Sequence, residues 1–259
     1  MIDFERTTIE RAPLAIDRDL DFDRLNAIYE SRSAADLLRW AIWRYGDRLA
    51  LATSFQADGM AILDMAWRID PNLRVITVDS GRLPQETYDL IEEVRERYQI
   101  PIEVFHPNAA ALEPFVGEHG PNPFYRSLEL RVRCCEIRKV APLGRALAGY
   151  GAWISGQRRD HATTRRAIHK IERDDAHGGI VKLNPLADWS DDQVWSYLRA
   201  HDVPHNALYD RGYTSIGCAP CTRATAPGED PRAGRWWWEA EQTKECGIHC
   251  RIDWAALRA

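Results

Sequence analysis

The sequence is short of several things at once. It has no run of the roughly 18 apolar residues that a membrane-spanning helix requires, which argues against membrane insertion. Its acidic first ten residues carry neither the basic nor the apolar region of a signal peptide, so the expected location is the cytoplasm. It has only six cysteines in 259 residues, and in a reducing compartment these point to metal ligation or thiol chemistry rather than to structural disulfides. Basic charge is in deficit: 34 Lys and Arg against 39 Asp and Glu leave a formal net charge of -5, which argues against nucleic-acid binding by bulk charge. Neither a GxGxxG fingerprint nor a Walker A loop occurs, so nothing signals a flavin, a nicotinamide or an ordinary P-loop.

What is present is local. The length suits one large α/β domain, or a domain with a C-terminal extension. Arginines cluster at Arg131, Arg133 and Arg138 beside Lys139, at Arg158, Arg159, Arg165 and Arg166, and at Arg232 and Arg235. On an acidic protein such clusters suit a small, highly charged anion better than a polymer.

In chain order, Leu25, Ile28, Tyr29, Leu37, Leu38, Ala41 and Ile42 recur at helical spacing, and Ser33 with Asp36 resembles a capping box. A strand over 48–53 passes through Ser54, Phe55, Gln56, Ala57, Asp58 and Gly59 into an apolar-periodic helix. That order sets backbone N–H groups at a helix N-terminus, where phosphate can bind, although an ordinary β-α turn has the same spacing. A second strand over 73–78 ends in Asp79, Ser80 and Gly81; a helix over 84–98 and a third strand over 102–105 follow. This alternation predicts a parallel, doubly wound sheet with ligands at the carboxyl ends of its strands. The loops after the first two strands should then form one crevice, with Asp58, Asp79 and Ser80 offering hydrogen bonds to a sugar or base.

The stretch 107–131, broken by Pro114, Pro121 and Pro123, reads as short helices and loops. Cys134 and Cys135 then open a helix, and a strand over 152–155 leads into Gly156, Gln157, Arg158, Arg159, Asp160 and His161, a plausible anion clamp reaching to Arg165. A strand over 180–183 and a capped helix over 190–200 precede Cys218-Ala219-Pro220-Cys221. A CxxC pair serves a redox dithiol or half of a zinc or iron-sulfur site. With Cys134 and Cys135 it offers four thiolates; adjacent cysteines suit a cluster better than one zinc ion, and both remain open. Near the end, Cys246 stands beside Gly247 and three residues before His249, surroundings that favour a reactive thiolate.

Three of these motifs together, the pair in Cys134-Cys135-Glu136-Ile137-Arg138-Lys139, the segment from Gly212 through Cys218 and Cys221 to Thr222, and Glu245-Cys246-Gly247-Ile248-His249, resemble the assimilatory adenylylsulfate reductases of bacteria, within the phosphoadenylylsulfate reductase group. The resemblance runs over roughly 48–249. It implies an adenine-nucleotide, ATP-pyrophosphatase-like Rossmann-type sheet over 1–235 and a C-terminal catalytic tail over 236–259. It also implies a [4Fe-4S] cluster on Cys134, Cys135, Cys218 and Cys221, to which we assign a structural and electrostatic role, and Cys246 as nucleophile. Lys139, Arg232 and Arg235 would face the phosphosulfate, 54–59 and 79–81 would hold the nucleoside, and Arg165 would belong to a closing arginine loop.

With no fingerprint for a redox dinucleotide, electrons would arrive as thiols, from a separate thioredoxin or glutaredoxin, since no such module follows the tail. Lys139, four residues beyond Cys135, should share its helix face, and His249 should orient or polarise Cys246. Cys250 lies outside the motif and reads as an idle thiol or a resolving one; Trp236, Trp237 and Trp238 read as packing. The same reaction on the 3′-phosphorylated nucleotide is the near alternative. An RNA thiolase would want a serine-glycine-glycine loop that 54–59 lacks, and a zinc-stapled binding module would use only the four thiols. The oligomeric state stays open, a homo-oligomer included.

Overall fold

The computed structural model describes residues 20–161, 165–240, 244 and 247–249. Elements follow the order α1 (Phe22–Tyr29), α2 (Ala34–Tyr45), β1 (Leu49–Ala52), α3 (Ala57–Ile69), β2 (Arg74–Val78), α4 (Gln85–Tyr98), β3 (Ile102–Phe105), α5 (Ala109–His119), α6 (Leu128–Cys135), α7 (Ala141–Leu147), β4 (Ala152–Ile154), β5 (Ile171–Asp174), β6 (Ile180–Leu183) and α8 (Asp191–Ala200). The six strands lie in the order β3-β2-β1-β4-β6-β5, and all neighbours are parallel except β5, which runs antiparallel to β6 at the edge. The expected parallel sheet is present. The antiparallel hairpin β5-β6 was not legible, because Ile171-Glu172-Arg173-Asp174 has the alternation of a polar edge strand rather than an apolar run.

Strand order moves the crevice. Successive strands wind outward from β1 through β2 to β3, whereas β4 and β6 extend the sheet on the other side of β1. The switch point therefore falls between β1 and β4. The main partner of the loop after β1 is the arginine-rich loop after β4, where sequence order had suggested the loop after β2.

Period-two alternation divides the core. Leu49, Leu51, Val75, Ile154, Val181 and Leu183 face the main core with α2, α3, α4 and α8. Ala50, Ile76 and Trp153 face the other way, against Leu143, Ala146 and Leu147 of α7. Helix starts follow the sequence signals. Ser190 and Gln193 make a reciprocal capping box on α8. Ser33 caps α2 by accepting from the Asp36 N–H, while its hydroxyl donates to the Asp36 carboxylate at 2.6 Å, so the reciprocal half of a box is missing there.

Inside the main core Asp64, 1% exposed, accepts from Arg68 Nε at 2.7 Å, Tyr98 Oη at 3.1 Å and Tyr197 Oη at 2.6 Å, pinning α3 to α4 and α8. Burial pushes its carboxyl up, but the hydrogen bonds from Arg68, Tyr197 and Tyr98 outweigh that and hold it below the usual carboxylate range. A depressed folded pKa contributes stability that is present above the unfolded value of about 3.9 and is lost as pH falls through the folded value. Asp64→Asn is expected to cost about 1–3 kcal/mol at pH 7, and the gap in Tm from the parent should close below about pH 4. A gap that stays constant down to pH 3 would show that the charge of Asp64 plays no part.

Candidate active site

A cavity of about 600 Å³ opens at the switch point. Its floor is the junction of the loops after β1 and β4. Gly156 lets them touch: a Cβ there would stand 3.2 Å from Asp58 Cβ and 3.4 Å from the Gly59 nitrogen. Asp58 accepts from Arg158 Nε at 2.5 Å and lies 3.1 Å from His161 Nε2. Burial pushes the Asp58 carboxyl up, but His161 and Arg158 outweigh it and hold the group ionised below its ordinary value. Arg158, 3% exposed, also donates to the Trp189 carbonyl at 3.0 Å and to the Asp191 carboxylate. Three of its five N–H donors are thus spent on the scaffold. Arg165, on the same cavity wall, lies 3.5 Å from His161 Nδ1.

Around the rim, Ser54 is exposed and Gln56 bridges two motifs, its amide donating to Ser54 Oγ at 3.0 Å and its carbonyl accepting from the Ile216 N–H at 2.9 Å. Phe55, at φ 56°, turns its ring into the core at 0% exposure, an αL placement that aims the flanking polar residues outward. The Ala57 N–H, first in α3, donates to Tyr209 Oη. Ser80 lines the cavity, but Asp79 and Gly81 stand off its wall. Asp79 Oδ1 accepts from the Gly81 N–H at 2.7 Å and from Tyr88 Oη at 2.9 Å, so it builds the turn that presents Ser80.

Cys134, Cys135, Cys218 and Cys221 are all buried and pack in one cluster with Phe115, Phe124, Ile137 and Trp236. The four thiols line one small hollow with Arg82, Arg131, Arg138 and Lys139. Two segments bring them there. Cys134 and Cys135 end α6, and a π-turn over Glu136–Val140 follows before α7. This corrects the α-helical relation expected between Cys135 and Lys139: the wider turn shifts the face by a residue, and π-turns of this kind recur at functional sites. It buries Arg138, which donates to the Ser80 carbonyl at 2.7 Å. On the other segment, Cys218 Sγ lies 3.1 Å from Ser80 Oγ, and the Ala219 N–H donates to the Arg82 carbonyl at 2.8 Å.

Lys139 and Cys218 line both the hollow and the large cavity. Burial pushes the Cys218 thiol up, but Lys139, Ser80 and Arg235 outweigh it and bring it below its ordinary value. Burial, then the negative charge at Cys218, push Cys221 up to about 12. Among the described residues no three of His, Cys, Asp or Glu are set to hold a single metal ion.

Trp236, at 1% exposure, lies between two guanidinium groups, those of Arg131 and Arg235, each 4.7 Å from its ring centre. Arg131 is itself held by Glu239 at 2.8 Å. Arg235 donates to the Ile216 carbonyl at 3.3 Å and packs against Gly217, where a Cβ would push the guanidinium aside. Arg232 donates to the Lys244 carbonyl at 2.8 Å and lines the cavity. Two buried donors on this lining, Arg235 Nε and Trp236 Nε1, have no hydrogen-bond partner among the described residues, and His249 Nδ1 has none either, polar capacity that a ligand in the cavity can meet.

Cys246, the expected nucleophile, lies outside the described residues, as does Cys250. Gly247, Ile248 and His249 are described, and the last two line the cavity. His249 stacks on Trp153, with ring centres 5.7 Å apart and planes 3° from parallel.

Residues 48–224 match the phosphoadenosine phosphosulfate reductase domain. An adenosine 5′-phosphosulfate reductase of Burkholderia cepacia is 51% identical over 214 residues, covering 83% of this chain and 85% of its own. The chain belongs to the phosphoadenosine phosphosulfate reductase family. Proteins of the same description from Allochromatium vinosum, 47% identical over 85% of both chains, and Pseudomonas aeruginosa, 42% identical over 92% of this chain and 90% of its own, are similar to it. Among solved structures, the phosphoadenylyl-sulfate reductase of Candida auris in its phosphate complex superimposes with a TM-score of 0.69 at 30% identity, covering 82% of this chain and all of that one. Candida glabrata FMN adenylyltransferase, at 15% identity and a TM-score of 0.52 over 91% of this chain and 88% of its own, shares the fold alone. The family therefore carries the expected fold, an adenine-nucleotide α/β sheet, and the chain is an oxidoreductase of that group.

Sequence reasoning missed Trp153 and Tyr209, which line the cavity, and the tethers of Arg158. Trp153 alone carried a readable signal, a large aromatic in a three-residue strand just before the glycine-arginine loop.

Proposed function

We propose that this protein reduces adenylylsulfate to sulfite and AMP in the assimilation of sulfate toward cysteine, taking two electrons from a thioredoxin-type dithiol. The observation that carries the reading is the shared wall of the two hollows. Lys139 and Cys218 border both the nucleotide-sized cavity and the four-thiol hollow, so the cationic end of the cavity is built on the cysteine site. The names of relatives 42–51% identical point the same way.

The adenosine would lie over the loops after β1 and β2, against Ser54, Gln56 and Ser80, with Asp58, Gly156 and Arg158 holding the floor. The phosphosulfate would lie toward Lys139, Arg165, Arg232 and Arg235, whose charges offset those of the substrate and lower the repulsion met by an incoming thiolate. Cys246, which lies outside the described residues, precedes Gly247 in the sequence, and the two residues after that, Ile248 and His249, line the cavity. Its thiolate attacks the sulfur, the S–O bond to the phosphate breaks, and AMP leaves with that electron pair. The product is S-sulfocysteine at Cys246. A dithiol at about -270 mV then attacks the Cys246 sulfur and expels sulfite, and its second thiol resolves the mixed disulfide, returning the cysteine and an oxidised donor. Glutaredoxin is the alternative donor.

Cys134, Cys135, Cys218 and Cys221 would hold a [4Fe-4S] cluster. The fit is chemical: four soft donors and no carboxylate, a hollow rimmed by cations that offset a negative cluster, and the unpaired indole N–H of Trp236 beside it. When bound, the cluster supplies a rigid, charged anchor for the residues around it, and Lys139 on the π-turn takes its position from that anchor.

The test is turnover with thioredoxin and either nucleotide. Sulfite and AMP should form with a kcat/KM for adenylylsulfate at least about tenfold above that for the 3′-phosphorylated nucleotide. The reverse preference would move the chain to the alternative substrate, for which the Candida auris relative is named. Iron and acid-labile sulfide should accompany a brown colour; a colourless protein with stoichiometric zinc would remove the reductase reading.

A further inference from the structure

The two faces of the sheet are covered differently. On the face opposite the main core, α7 packs over β2 and β3. Register sets one row of side chains on that face, running Ala50, Trp153, Lys182 and Glu172 across β1, β4, β6 and β5. Lys182 pairs with Glu172 at 3.4 Å and lies 5.7 Å from the Trp153 ring centre. The indole Nε1 donates to Asp174 Oδ2 at 2.8 Å, and the same oxygen lies 2.7 Å from His177 Nδ1. His177 meets the indole edge-on at 73°. Trp153 is thereby held from its edge and one side, and is 1% exposed. Among the described residues, Ile248 packs with the same cluster and the ring of His249 lies parallel to the indole.

We infer that Trp153 is a positioning residue for the reaction proposed above: its indole is the plate on which His249 docks, and that dock fixes where the adjoining reactive segment stands. The inference rests on that functional reading but concerns a part the reading does not use. The geometry suits a dock rather than a base. Parallel rings at 5.7 Å are within the range of an offset stack. Burial, and then the cationic or potentially cationic Lys182, Arg165, His177 and His161, push His249 well below its ordinary pKa. An imidazole stacked this way has no need to touch the thiol in order to place it. Gly247, at φ 83°, supplies the turn by which the chain reaches the plate.

The test reads the dock without turnover. In the iron-loaded Cys250→Ser protein, the rate at which iodoacetamide alkylates Cys246 is followed by mass spectrometry. Trp153→Leu, which keeps an apolar core side chain but loses the plate, should raise that rate about 2- to 12-fold, the usual worth of an aromatic pair. Trp153→Phe, which keeps a ring, should stay within about twofold of the parent. His249→Ala removes the other half of the stack without touching the core and should raise the rate to the same degree. Combined with Trp153→Leu it should add nothing further, because both changes abolish one contact. Iron content and Tm should stay near those of the parent in His249→Ala and Trp153→Phe, which separates loss of the dock from loss of the fold. No increase in His249→Ala, or increases that multiply in the double variant, would overturn the inference. A protein that fails to reduce adenylylsulfate yet shows this pattern would leave the dock intact and refute only the functional reading.

Discussion

Lys139→Ala is expected to lower kcat/KM for adenylylsulfate by about 10²- to 10³-fold, the usual cost of removing a preorganised charge from a site where negative charge must be stabilised. Iron content should stay close to that of the parent, because the lysine supplies no sulfur ligand. The size of the effect follows from position. The ammonium stands in the wall that the two hollows share, on a π-turn whose neighbouring Arg138 is buried and bound to the Ser80 carbonyl. No other residue can slide into that place without rebuilding the turn. Lys139→Arg, longer and planar, should recover less than about a tenth of the loss, since a guanidinium does not replace a point charge where reach is fixed. A full rescue by arginine, or a loss below about threefold in the alanine variant, would remove Lys139 from the charge-stabilising role.

Cys218→Ser is expected to abolish activity by a different route. A serine hydroxyl is a hard, protonated donor that does not replace a thiolate in soft ligation, so iron and acid-labile sulfide should be lost together with the brown colour. The effect should exceed that of Cys135→Ser on nucleotide binding. Cys218 also borders the large cavity and contacts Ser80, and the next residue hydrogen-bonds Arg82. AMP affinity is therefore expected to fall in Cys218→Ser and to change less in Cys135→Ser. A Cys218→Ser protein that keeps iron at the parent level and turns over would contradict the assignment of the four thiols as one ligand set.

Much of this architecture could be read before any coordinates. Alternating strands and helices, with an apolar stretch such as 73–78, were enough to predict the parallel sheet, because buried strands carry near-continuous apolar runs. The four cysteines were legible as a set because few residue types are as specific as a CxxC in a chain with so few other thiols. What sequence spacing could not give was strand order. It decides that the loop after β1 faces the loop after β4, and hence that Asp58 meets Arg158 and His161. Arg158 looked like a substrate clamp from composition; three protein acceptors claim it instead, and only tertiary contacts tell the two uses apart. Asp79 likewise looked like a ligand for a sugar, yet it closes its own turn on Gly81 and Tyr88, a use of aspartate that local sequence permits equally. The π-turn after Cys135 has no sequence signature at all, since π and α turns draw on the same residues. His249 was expected beside the nucleophile for its chemistry; its stack on Trp153 depends on a residue almost a hundred positions earlier in the chain.

Cys246 is where the account is most exposed, and one experiment reaches it directly. Iron-loaded protein is mixed with adenylylsulfate in the absence of any dithiol, digested, and each cysteine peptide is weighed by mass spectrometry. The peptide containing Cys246 should carry a sulfonate in the parent, with AMP released in equal amount, and adding reduced thioredoxin should discharge it as sulfite. Cys246→Ser should release no AMP and carry no adduct on any cysteine. A sulfonate on a different cysteine, or AMP released at the parent rate by Cys246→Ser, would contradict the mechanism at its first step.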